Sequence, residues 1–431
     1  MDHRRPGRSL LRVQGLLPRR AAFWAVGGVL GVLMFAASAP SPLYVVYQAE
    51  WGFSATTLTT IFAVYALALL LALLLTGSLS DAVGRRPVLA AALLVEIASM
   101  ALFVSARGVA WLLAARVLQG VATGAATGAL GAALMDLQPA RGPRLGPLVN
   151  SVAPSAGLAL GALGTGVLVQ YGPAPTRLVF ALLLGALLAA VLATLAMTEP
   201  VVRGSVPLAS LRPRVGVPRE IRGPFAAALP CLVATWALGG LYLSLGPSVA
   251  VGVLHVSSHL LGGLVITALA GVGSATAVLL RSWESRRAMV FGSLGLVAGV
   301  ALTLLALALE STPVFFAGTV VAGFGFGAAF LGAFRTLSGL AGPAQRGALI
   351  SSVYIVSYLA FSLPAIAGGI AVDLVGLRAT ATAYGAVIAV LAAAAAITTA
   401  LQARGAPAAA PTPAGHVAHA PCAGTVPPAH S

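Results

Sequence analysis

Long apolar runs dominate the chain and return at regular intervals, separated by short polar breaks. A helix needs about 20 such residues to cross a bilayer's hydrocarbon layer. Runs of that length predict spanning helices near residues 22–47, 54–79, 87–106, 109–136, 146–171, 176–197, 224–248, 257–280, 288–309, 312–334, 347–372 and 378–401. The pattern therefore predicts an all-α polytopic membrane protein with twelve transmembrane helices. The first run follows several arginines, as a signal peptide would. It is longer than a signal peptide's apolar core and eleven more runs follow, so it reads as a span and not as a cleaved leader.

The polar breaks carry a second pattern. Positive charge collects on the cytoplasmic side of membrane proteins, and here alternate connections are rich in arginine. One side holds Arg4, Arg5, Arg8, Arg12, Arg19 and Arg20, then Arg85 and Arg86, then Arg141 and Arg144. It continues with Arg203, Arg212, Arg214, Arg219 and Arg222, then Arg281, Arg286 and Arg287, then Arg335, Arg346 and Arg404. The other side holds only Arg107, Arg177 and Arg378, and Arg116 lies within a span. This split predicts a multi-pass protein of the plasma membrane with both termini cytoplasmic. The expected organisation is an Arg-rich amino-terminal segment (1–21), a six-helix bundle (22–197), a cytoplasmic linker (198–223), a second bundle (224–401) and a disordered Ala/Pro-rich tail (402–431).

Composition changes what the charge means. Of the 431 residues 59% are hydrophobic and 8% charged, against about a quarter charged in soluble domains. A net charge of +15 would suggest nucleic acid if it were clustered with aromatics. It is scattered through short loops, so nucleic acid is excluded as a partner and the lipid bilayer takes its place. All 25 basic residues are arginine. A P-loop needs its lysine against the phosphates, so that type of ATP motor is excluded, as is Schiff-base chemistry. Cys231 and Cys422 suggest no disulfide framework, and His416, His419 and His430 lie in the tail. With no nucleophile–base set, paired carboxylates or metal cluster, neither an enzyme nor a cofactor is expected. A monomer is expected.

The two halves echo each other. Arg85–Arg86 and Arg286–Arg287 lie 201 positions apart, each between the second and third spans of its half. Ser151-Val152 matches Ser352-Val353 at that offset, while Gly120 and Gly124 match Gly323 and Gly327 at 203. Duplicated six-helix halves place substrate sites midway between the repeats.

The stretch Gly77-x-Leu79-x-Asp81-x-x-Gly84-Arg85-Arg86-x-x-Leu89 resembles the signature of the major facilitator superfamily, in the place where that family has it. The twelve spans, the basic central loop and the degenerate echo at 281–287 extend the resemblance across nearly the whole chain. It implies two pseudo-symmetric six-helix bundles and, for Gly77, Asp81, Gly84, Arg85 and Arg86, a conformational latch on the cytoplasmic side, with Asp81 facing the start of the eleventh helix. Read directly, Asp81 sits where a helix dipole disfavours an anion and needs partners. Gly84 permits a tight reversal, Pro87 suits a first turn, and the arginines anchor at anionic lipid. A static topological clamp would also account for them. In the second copy Ser282 and Ser285 replace the aspartate and a glycine, so any latch is asymmetric.

Charges inside the spans are costly unless paired or hydrated. Arg116 either snorkels to the outer headgroups or faces an internal cavity, and Gln119, three positions on, shares its helix face. Arg-x-x-Gln-Gly resembles the family's fourth-helix motif, which is associated with proton coupling. Glu96, in the third span, is either a static partner of Arg116 or the carboxyl that carries a proton; Asp81 is a further coupling candidate. Asp136 is expected to pair with Arg141 or Arg144. Gly157 and Gly161 permit close helix packing and partly match the family's antiporter motif, although Ala162 stands at its proline position.

The family arrangement implies that the first, fourth, seventh and tenth spans line the cavity. They offer Ser41 and Tyr44 beside Pro40 and Pro42, then Gln119, Trp236, Tyr242, Phe324 and Phe326. Tyr65, Asn150, Tyr354 and Tyr358 could join from neighbouring helices. An aromatic, sparsely charged cavity suits lipophilic or weakly cationic ligands. The resemblance implies a proton-coupled exporter of small amphipathic or drug-like molecules working by alternating access. Proton symport of a nutrient and a non-transporting sensor are the alternatives.

Overall fold

The computed structural model describes residues 16–405 except 78, 140–144, 201–214, 256–257 and 341. Twelve helices among the described residues are long and apolar enough to span a membrane: Arg19–Trp51, Ala55–Thr76, Arg85–Val104, Val109–Leu137, Leu145–Tyr171, Leu178–Ala196, Arg219–Ser244, His259–Leu279, Ser285–Leu309, Thr312–Leu340, Gly347–Val375 and Leu377–Leu401. Among the described residues there is no strand. Several spans outrun their apolar runs; the first begins at Arg19, with Pro18 in extended conformation as its N-cap. Apolar length measures hydrocarbon thickness, whereas helical hydrogen bonding continues into the headgroup zone. The tail histidines, Cys422, Arg141 and Arg144 lie outside the described residues.

Short connections reverse successive spans. Call the near face the one that carries the connections between spans two and three and between four and five, and the far face its opposite. Burial shows which spans are central. In their most apolar windows, the first and seventh spans are 61% and 67% buried, the sixth and twelfth 33% each. Central and peripheral helices therefore recur six spans apart, as a duplicated bundle requires. The glycine matches have a packing basis. A Cβ on Gly120 or Gly124 would lie 2.4 and 2.3 Å from carbonyl oxygens of the second span. On Gly323 and Gly327 it would lie 2.8 and 2.2 Å from those of the eighth. Small residues bring both helix pairs to backbone contact.

The halves meet along two seams. The fifth and eighth spans pack closely, with Thr267 donating to the Ala159 carbonyl at 3.0 Å and Ser274 to that of Val152 at 3.3 Å. The second and eleventh meet through Phe62 and Phe361, with ring centroids 4.9 Å apart. Toward the far face Asp373 accepts from the backbone N–H groups of Ala55 and Thr56, both at 3.0 Å. Gln170 there accepts from the N–H of His259 at 2.9 Å. The far face is thus held shut by bonds from both halves.

Candidate transport site and latch

A chain of buried polar side chains runs through the amino-terminal half. Arg116 is wholly buried, so it does not snorkel. Its guanidinium donates to the Tyr44 hydroxyl at 2.6 Å, the Ala37 carbonyl at 2.9 Å and Gln119 Oε1 at 2.6 Å. Tyr44 and Tyr65 bring their rings to 5.4 and 5.0 Å from its central carbon, within cation–π range. Gln119 donates onward to the Ala36 carbonyl at 2.9 Å and to Glu96 Oε1 at 3.3 Å. Arg116 and Glu96 are therefore linked through an amide; among the described residues they form no direct ion pair.

One backbone carbonyl in this network follows from a proline. The first span breaks into Arg19–Ser38 and Pro40–Trp51, while Ala39 keeps helical angles (φ −52°, ψ −39°). The helix is kinked, not unwound. Pro40 has no N–H to offer the carbonyl four residues back, which is that of Ala36, and Gln119 takes the free acceptor. Ser41 is buried beside this group. Among the described residues no hydrogen bond reaches Ser41 Oγ, Glu96 Oε2 or Arg116 Nη2.

Opposite lies an aromatic wall of the carboxy-terminal half. Trp236 packs against Tyr358, Phe330 and Phe361, with centroids 5.1 to 5.7 Å apart, and Tyr354 lies 6.3 Å from Tyr358. Phe361 carries the wall to Phe62 across the seam. Two expected lining residues face elsewhere. Tyr242 bonds Thr303 and Thr319 at 3.1 and 3.2 Å inside its own bundle. Phe324 sits edge-on to Phe291, which is 44% exposed on the outer flank. The reason is angular. Tyr242 is about 120° around the helix from Trp236, and Phe324 about 160° from Phe326, so one of each pair takes the inner face. Phe326 takes it, beside Gly239 and Gly273. Asn150 is exposed, near Gly131 of the fourth span. Gly157 and Gly161 press on the first span, where a Cβ would meet the Gly31 and Phe35 carbonyls at 2.7 and 2.3 Å.

At the near face, Arg85 binds Asp81, Ser80 at 2.7 Å and Asp136 at 3.3 Å. Asp136 pairs with Arg85 because the second and fourth spans end side by side; the loop arginines expected for it lie outside the described residues. Glu199, just beyond the sixth span, accepts from the N–H groups of Arg85 and Arg86 at 2.9 and 3.0 Å. It caps the third span where no N-cap side chain does. Gly84 stands at φ +109°, and a Cβ there would lie 2.8 Å from the Glu199 carboxylate. Asp81 is bound within its own half by Arg85. In the echo, Arg286 donates to the Thr399 carbonyl and Arg287 pairs with Glu284 at 3.4 Å.

The Major Facilitator Superfamily pattern matches residues 26–363. The chain belongs to this superfamily. No curated protein matches it. Solved structures share its fold at low identity. A bacterial homolog of the human lysosomal transporter Spinster, inward-facing and unoccupied, is 15% identical with a TM-score of 0.73, covering 90% of this chain and 99% of the other. A variant of the nucleoside transporter NupG gives 13% and 0.68, covering 88% and 99%. The human organic anion transporter MFSD10 (TETRAN) gives 19% and 0.63, covering 88% and 100%. The chain is thus a multi-pass membrane transporter and not an enzyme.

Within this superfamily member, sequence reasoning passed over Glu199, Asp373 and Gln170. Asp373 had a signal. It is an anion at the carboxyl end of its span, the circumstance that singled out Asp81.

Proposed function

We propose that the protein is a proton-coupled exporter of small amphipathic molecules, acting as a monomer in the plasma membrane with both termini cytoplasmic. The observation that carries this reading is the buried Arg116–Gln119–Glu96 chain. Ionisable groups inside a membrane are expensive and mark ion pathways, and Glu96 keeps one carboxylate oxygen open for a proton. Arg116 and its tyrosines tie the first, second and fourth spans to the charge state of that carboxyl. Substrate would bind between this chain and the Trp236–Tyr358 wall, whose aromatic faces suit amphipathic molecules. The near-face cluster around Arg85 would brace the amino-terminal loops while the halves rock.

Flux in membrane vesicles under an imposed pH gradient tests the reading, screened over a panel of lipophilic compounds. Protonophore-sensitive extrusion from the cytoplasmic side supports it. Proton-dependent accumulation of a solute on that side would establish symport instead, and an absence of any gradient-dependent flux would favour a sensor.

A further inference from the structure

The two polar contacts that close the far face are copies of one another. Thr56 donates its N–H to Asp373, and His259 donates its N–H to Gln170. Thr56 and His259 are 203 positions apart, and so are Gln170 and Asp373. This is the offset that relates the packing glycines. Each half therefore caps the first turn of a helix in the other.

First-turn N–H groups have no partner within their own helix. In the second span, Ser54 satisfies only Thr57, at 3.2 Å. Asp373 takes the Ala55 and Thr56 N–H groups and also accepts the Thr56 hydroxyl at 2.6 Å. In the eighth span, Ser258 makes no side-chain cap for its own helix. It donates instead to Gln170 at 3.4 Å, beside the His259 bond. The two caps differ in charge. A carboxylate gains from the positive end of the helix dipole, and an amide gains much less. All four groups lie at the ends of spans, where water can replace each bond when the halves part. That suits a balance between two states of nearly equal energy.

We propose that Gln170 and Asp373 form a two-part gate setting the balance between far-face-closed and far-face-open states, with Asp373 the stronger part. The inference rests on the alternating-access reading above.

The test places spin labels at Arg107 and Leu309, exposed far-face positions in opposite halves, with Cys231 and Cys422 replaced by alanine. Distances are measured by pulsed electron resonance on the full chain in lipid nanodiscs. Asp373→Asn should raise the long-distance population roughly tenfold relative to the short one, and Gln170→Ala roughly threefold. Adding Gln170→Glu to Asp373→Asn moves the charge to the sister cap and should restore the closed population. A merely structural role would not give that rescue. Unaltered distances in every variant, or an Asp373→Asn effect that Gln170→Glu leaves in place, would overturn the gate. Flux measured on the same variants shows separately whether alternating access survives.

Discussion

The two halves build the same three-helix contact from opposite materials. In the first half Arg116 meets Tyr44, and Gln119 meets Glu96. At positions 203 later stand Thr319, Ala322 and Gly299. Thr319 lies against Tyr242 of the seventh span, as Arg116 lies against Tyr44 of the first. Where Glu96 approaches Gln119, Gly299 packs so tightly on Ala322 that a Cβ would lie 2.2 Å from its backbone nitrogen. One site thus holds charge and unfilled hydrogen-bonding capacity, while its twin is closed by backbone contact. The difference teaches that, among the described residues, the buried charges lie in one bundle, and that the other supplies packing and an aromatic wall.

The largest effect that could break this comparison comes from Arg116. Arg116→Thr makes the first half resemble the second. It removes three hydrogen bonds from a charged group, at roughly 1.5–3 kcal/mol each. Gradient-driven flux should fall at least about a hundredfold, and flux close to the parent level would show that the buried charge is idle. Next comes Glu96→Gln, which keeps shape and an amide-bonding oxygen but carries no titratable proton at this site. Flux should lose its pH dependence while gradient-free exchange persists, and unchanged pH dependence would remove Glu96 from the coupling path.

Packing should treat the halves alike. Gly124→Ala and Gly327→Ala each force a methyl against a carbonyl, at about 1–3 kcal/mol by overpacking. Thermal unfolding in detergent should show similar losses, and a large disparity would deny the equivalence of these contacts. The smallest effect is expected at Thr319→Val. It removes one neutral hydrogen bond to Tyr242, worth about 1 kcal/mol, and the weak bond back to the Phe315 carbonyl within its own helix, with flux retained. Collapse of flux there would mean that the second half holds a working polar site after all.

The spans and their duplication were legible because each depends on composition along one helix or one short loop. The inward direction of Arg116 was legible from Gln119 three positions away. Side-chain direction on the seventh and tenth spans was not, because those helices are apolar all round. Trp236 and Tyr242 differ in role only through which neighbours they meet. The partner of Asp136 depends on two spans ending together, and the caps at Thr56 and His259 on two halves meeting. Neither arrangement is written in any local pattern. Glu199 was hidden for the same reason, since its partners lie 113 and 114 residues away.

The kink at Pro40 bears on how charge survives in oil. By withholding one donor from its own helix, that residue leaves main-chain oxygen facing inward, and the carboxamide beside Arg116 anchors there. A census of acids and bases would find too few counterparts for a buried guanidinium at this depth. Part of the solvation shell is the polypeptide itself, so a change at an uncharged imino acid could retune the electrostatics of the whole bundle.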